Sequence, residues 1–142
     1  MTQVLIVAVV AIIALAVGAY VQRKGPTDAP TAPTRHTTPE QVDRNDFKSP
    51  DSPWLVAVFT SATCDTCAKV WTSAQLLAGA DVAVQNVEVA TDADLHKRYF
   101  ITAVPSVIIV DDEGVTRGSF LGPPSSSQLW DKLNELRGTA TA

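Results

Sequence analysis

The sequence predicts an α/β domain with a central mixed sheet and helices on both faces. Three observations carry that prediction. Two uninterrupted apolar runs rich in β-branched residues, WLVAVFT (Trp54 to Thr60) and SVIIV (Ser106 to Val110), read as strands covered on both sides. Between and after them lie segments with helical apolar spacing. The segments alternate as β-α-β-α-β-β-α, an order that closes a mixed sheet between layers of helix.

Taken in order, WLVAVFT is the first strand. Cys67, Val70, Trp71, Ala74, Leu77 and Ala78 then recur at three- and four-residue spacing, with Gly79 placed as the cap of that helix. Val82 to Val89 (VAVQNVEV) reads as the second strand. Thr91-Asp92-Ala93-Asp94 is a capping pattern for a short helix through Leu95 and Tyr99. SVIIV follows, and Asp111-Asp112-Glu113-Gly114 turns into a weaker strand from Val115 to Phe120. Ser125-Ser126-Ser127-Gln128 matches a capping box, and Leu129, Trp130, Leu133 and Leu136 form a stripe ending at Gly138. Trp54, Trp71 and Trp130 fall in apolar patterns and read as packing, and His96, beside Lys97 and Arg98, reads as part of a solvated face.

The chain has 142 residues and 46% apolar content, enough for one modest core. Its first part is organised differently. Val4 to Val21 is apolar apart from a glycine and a tyrosine, and eighteen residues of helix reach roughly 27 Å, close to the hydrocarbon thickness of a bilayer. Residues 1–22 therefore read as a single transmembrane anchor, and the absence of a basic n-region argues against a cleaved signal. Arg23 and Lys24 favour the cytoplasmic side for everything that follows, with the extracytoplasmic side as the alternative. The segment from Gly25 to Pro53 holds six of the nine prolines and reads as an extended tether. Residues 23–41 are assigned to that linker, 42–138 to the folded domain and 139–142 to a disordered tail, with Val42 and Phe47 in a possible edge strand. A net charge of −4, with no basic cluster beyond Arg23-Lys24, argues against a nucleic-acid surface.

The chemistry lies in TSATCDTC, residues 60 to 67, which contains both cysteines of the chain. A bridge across only two intervening residues closes too small a loop to staple a fold. With Thr63 as cap, Cys64 falls in the first helical turn, where free N–H groups and the macrodipole favour a thiolate. That makes it a nucleophile, and Cys67, one turn deeper on the same side, can resolve a mixed disulfide. Two of four zinc ligands is the competing assignment, but His36 and His96 lie in the linker and in another helix, so no metal site is expected. Two inert buried thiols are the blander one.

WLVAVFTSATCDTCAKVW resembles the active-site segment of the thioredoxin family, and KRYFITAVPSVIIVDDEG resembles that family's approach to its cis-proline strand and hairpin. The resemblance covers about Trp54 to Leu136 and implies a thioredoxin-like fold. It further implies that Cys64 and Cys67 form a redox-active disulfide, that Pro105 is cis, and that Val104 pairs with an extended substrate. Asp65 and Thr66, between the cysteines, would touch that substrate. The sequence departs from the family where it has a buried aspartate behind the second cysteine and a partner lysine. Those positions hold Val58 and Asn86.

The activity implied is protein thiol–disulfide exchange without a cofactor, by a monomer held at the membrane, with protein dithiols or disulfides as substrates and a reductase or oxidase as redox partner. Asp65 opposes a thiolate at Cys64, which sets the expected potential nearer about −270 mV than about −120 mV. The alternative is a non-catalytic scaffold that binds a protein or a soft metal such as Cu(I) between the thiols.

Overall fold

The computed structural model describes residues 38–140. Among these no helix is long and apolar enough to cross a membrane. The expected anchor at residues 1–22, most of the expected linker and the last two residues lie outside the described residues.

Four strands and three helices follow in the expected order. They are β1 (Trp54–Thr60), α1 (Asp65–Gln75), β2 (Val82–Glu88), α2 (Ala93–Arg98), β3 (Ser106–Val110), β4 (Thr116–Leu121) and α3 (Ser126–Ala140). The sheet order is β2-β1-β3-β4, with β1 parallel to β2 and antiparallel to β3, and β3 antiparallel to β4. This is the predicted mixed sheet. All seven residues of β1 and all five of β3 are buried, as expected of central strands covered on both faces.

Alternation along β1 divides the core in two. Trp54, Val56 and Val58 pack with Val70, Ala74 and Leu77 of the α1 segment and with Leu129 and Leu133 of α3. Leu55, Ala57 and Phe59 face the other way, onto Val42, Phe47, Val87 and Tyr99. The helix carrying the cysteines thus lies on one face, and α2 with the N-terminal segment on the other.

Several local expectations are corrected. Val42 and Phe47 are buried, but not in an edge strand. Gln41 makes a single antiparallel bridge to Val115, and Arg44–Asp46 form one 3-10 turn. The folded region therefore begins before Val42, with Thr116 N–H donating to Glu40 O and Val42 N–H to Gly114 O, both at 2.9 Å. Gly114 has φ +83, and a Cβ there would lie 2.2 Å from Val42 O, so only glycine allows this approach. Gly79 does not cap α1, which ends at Gln75. Gly79 instead makes the tight turn into β2 through paired hydrogen bonds with Val82.

The capping box at α3 forms as read: Ser125 N–H donates to Gln128 Oε1 (2.8 Å) and Gln128 N–H to Ser125 Oγ (3.2 Å). The helix continues past Gly138 to Ala140, into the expected tail. Trp54 is buried and Trp71 half-buried, but Trp130 is 40% exposed, because its position on α3 points away from the core that Leu129 and Leu133 fill. His96 is also corrected. Only 6% exposed, it lies against the sheet, with Nε2 2.9 Å from Val87 O and its ring edge-on to Phe59. A hydrogen bond to a carbonyl is what lets an imidazole be buried there.

Candidate redox site

β1 ends at Thr60, and the next four residues, Ser61 to Cys64, carry the chain around the end of the sheet into α1. Cys64 and Cys67 are joined there by a disulfide, S–S 2.13 Å, with Cα atoms 5.3 Å apart. The cap of α1 is Cys64 and not Thr63. Cys64 has extended backbone angles (φ −106, ψ 103), and its sulfur accepts the Cys67 N–H at 3.2 Å. Thr63 turns its hydroxyl to Ser61 Oγ, 3.1 Å away. The correction strengthens the electrostatic argument, because the sulfur itself takes the position that a capping oxygen would hold.

Cys64 is partly exposed, while Cys67 is 1% exposed. The Thr66 hydroxyl lies 3.4 Å from the Cys64 sulfur, and Asp65 opens the helix as its first residue. An exposed sulfur in front of a buried one suits attack from outside and resolution from within.

Pro105 and Val104 reach the same end of the sheet by another route. The register pairs Phe59 with Ser106, which brings Pro105 level with the last residue of β1. The Val104–Pro105 peptide bond is cis. Gly122 N–H donates to Pro105 O at 2.9 Å, so the Pro123-Pro124 loop starts beside Pro105.

A cavity of about 220 Å³ adjoins the disulfide on the β2 side, lined in part by Thr60, Cys64, Cys67, Trp71, Asn86 and Glu88. Thr60 Oγ1 donates to Asn86 Oδ1 at 2.7 Å. Sequence reasoning missed Thr60 and Glu88 here, and read Trp71 as packing with a substrate groove as the alternative. The strand pairing that assembles them, Thr60 with Glu88 in parallel register, is a long-range fact with no local signature. Val58, 0% exposed, sits wholly within the apolar cluster, and Asn86 is bonded to Thr60, so neither position offers an ionisable group. A larger hollow of about 530 Å³ lies at the opposite end of the sheet by Trp54, Leu136 and Asp111, whose carboxylate is held by Arg117 at 2.6 Å. It contains no thiol. Among the described residues no three His, Cys, Asp or Glu side chains converge as metal ligands.

No family model and no curated protein matches the chain. Solved structures do. A thioredoxin variant from Halobacterium salinarum is 24% identical with TM-score 0.52, over 57% of this chain and 72% of that one. Deadhead, the germline-specific thioredoxin of Drosophila melanogaster, is 17% identical with TM-score 0.56, over 70% and 98%. Oxidised mitochondrial thioredoxin 3 of Saccharomyces cerevisiae is 23% identical with TM-score 0.53, over 65% and 85%.

The fold is that of the thioredoxins. At these identities the likeness is one of fold, and the chemistry must be argued from the cysteines themselves. On the thioredoxin scaffold the C-x-x-C pair sits where the strand delivers it to a helix terminus. Here that terminus is Cys64, and the position behind the pair is the apolar Val58.

Proposed function

We propose that this chain is a membrane-anchored thiol–disulfide oxidoreductase acting on proteins. The observation that carries the reading is the capping geometry, in which the partly exposed Cys64 sulfur receives the Cys67 N–H at the positive end of α1. In the reduced enzyme the Cys64 thiolate attacks one sulfur of a substrate disulfide, and the other substrate sulfur leaves as a thiolate. The Cys67 thiolate then attacks Cys64, releasing the second substrate sulfur. Two electrons pass to the substrate, and the Cys64–Cys67 disulfide forms. Run in reverse, the same steps oxidise a substrate dithiol.

Val104 and Pro105 present the backbone along which an extended substrate segment aligns, and Asp65 and Thr66 flank the attacking sulfur. No cofactor takes part, because the thiols carry the electrons. The domain acts as a monomer, with a reductase or oxidase restoring its redox state. The anchor read at residues 1–22 confines it to substrates at one membrane surface and raises their effective concentration. Arg23 and Lys24 favour the cytoplasmic surface.

Insulin reduction with a supplied dithiol tests this reading. Turnover is expected for the wild type, with loss of at least about a hundredfold in Cys64→Ser and Cys67→Ser, since covalent catalysis needs both sulfurs. Undiminished turnover in either variant refutes it.

A further inference from the structure

Glu88 is the ionisable residue, besides the two cysteines, that lines the cavity against the disulfide. It ends β2, level with Thr60. One carboxylate oxygen accepts the Ala62 N–H at 3.0 Å, and the other accepts the N–H groups of Ala90 (2.8 Å) and Thr91 (3.2 Å). Ala62 lies two residues before Cys64. The carboxylate therefore ties the loop that presents the sulfur to the loop that leaves β2.

The Ala62 N–H, more than any other contact, holds the Glu88 carboxyl below the usual carboxylate range. Burial opposes that shift, and Ala90, Thr91 and His96 add to it. The result is a fixed anion. The titratable groups around it are Asp92, whose Oδ2 accepts the Glu88 N–H at 3.2 Å, and His96 on α2. An anion beside two sulfurs disfavours the thiolate of either, in opposition to the helix terminus. Stabilising the thiolate makes a dithiol pair more oxidising, so opposing it makes the pair more reducing.

We propose that Glu88 is a positioning residue for the exchange reaction. It fixes the loop that carries Cys64, and its charge restrains thiolate formation in the reduced pair, making that pair a stronger reductant than the helix terminus alone would. The inference rests on the oxidoreductase reading of the same site.

The test uses the reduced full chain in three forms: wild type, Glu88→Gln and Glu88→Asp. Iodoacetamide alkylation of Cys64 is followed against pH, together with the equilibrium of the pair with glutathione. Glu88→Gln can still accept the Ala62 N–H but carries no charge. It is expected to alkylate about threefold faster at pH 7, as a midpoint lowered by about half a pH unit implies. Its glutathione equilibrium is expected to move toward the dithiol by a similar factor, and Glu88→Asp, charged but shorter, to keep the wild-type midpoint. A purely structural brace would slow turnover in both variants and move neither midpoint, and that result overturns the charge role. A wild type that turns over insulin beside an indistinguishable Glu88→Gln overturns this inference alone. A wild type with no turnover, alkylating like an unfolded peptide, overturns both readings.

Discussion

Replacing Arg44 by methionine isolates the clasp that fastens the N-terminal segment to the sheet. Arg44 Nη1 donates to Asp111 O at 2.6 Å, and Nη2 donates to Ser52 O at 2.7 Å and, more weakly, to Ser49 O at 3.4 Å. The two short bonds, each charge-assisted, are together worth roughly 3–6 kcal/mol. Opposing them, the side chain is only 7% exposed and its Nε has no partner among the described residues, a loss of about 1–3 kcal/mol. Burial also holds its pKa below the usual arginine value, against Asp112, Asp111 and Asp51, which support the charge. The balance predicts that Arg44→Met destabilises the fold by about 2–3 kcal/mol, a fall in Tm of roughly 10–20 °C for a domain of this size. Urea unfolding followed by tryptophan fluorescence measures the change, with the slope expected to stay constant. Insulin reduction by the folded variant should be unaffected, because Asp111 lies at the end of the sheet remote from Cys64. Replacing buried charges by apolar residues sometimes stabilises a protein. A variant within about 0.5 kcal/mol of wild type, or above it, would show that desolvation outweighs the hydrogen bonds and that the clasp reasoning is wrong.

Two further substitutions test the segment around α2. Phe100 has φ 53 and is 80% exposed, so a bulky side chain bears a left-handed backbone without burial in return. Phe100→Gly is expected to raise stability by about 0.5–1 kcal/mol in the same urea assay, and a loss would contradict the strain argument. Burial, followed by the hydrogen bond its hydroxyl donates to Asp46, pushes the Tyr99 pKa up to about 12. Because the folded value exceeds the unfolded value near 10, this stabilisation is full below about pH 10 and is lost as pH rises toward 12. Absorbance titration should find a phenol ionising late in the folded protein and absent from Tyr99→Phe, whereas a Tyr99 step near 10 would refute the assignment.

What the sequence revealed is what local pattern can encode. β1 and β3 were legible because an unbroken β-branched run has few other uses, and the α3 capping box because both its partners lie within four residues. The cysteine pair was legible for the same reason. Errors arose where the deciding partner is distant. His96 looked solvated beside Lys97 and Arg98, but its carbonyl partner is Val87 on β2. Val42 and Phe47 looked like an edge strand, but Arg44 reaches Asp111, sixty-seven residues on, and Phe47 stacks on Tyr99. Glu88 was passed over because only the parallel register of β2 on β1 brings it to the cysteine loop. The one-residue error at the start of α1 has a chemical origin: threonine is the better cap by propensity, and here sulfur took its place.

The placing of that N-terminal segment has a mechanical consequence. A pull on the chain ahead of Thr38 is met first by the Gln41–Val115 bridge, then by the Arg44 donors and the Tyr99–Asp46 bond. Their N-terminal partners, Gln41, Arg44 and Asp46, all precede β1 along the chain and load the hairpin and the α2 face of the sheet. The cysteine loop leaves β1 at its other end, toward the α1 face, outside that line of force. Traction on the chain at Thr38 can thus be borne by the domain without disturbing its sulfurs.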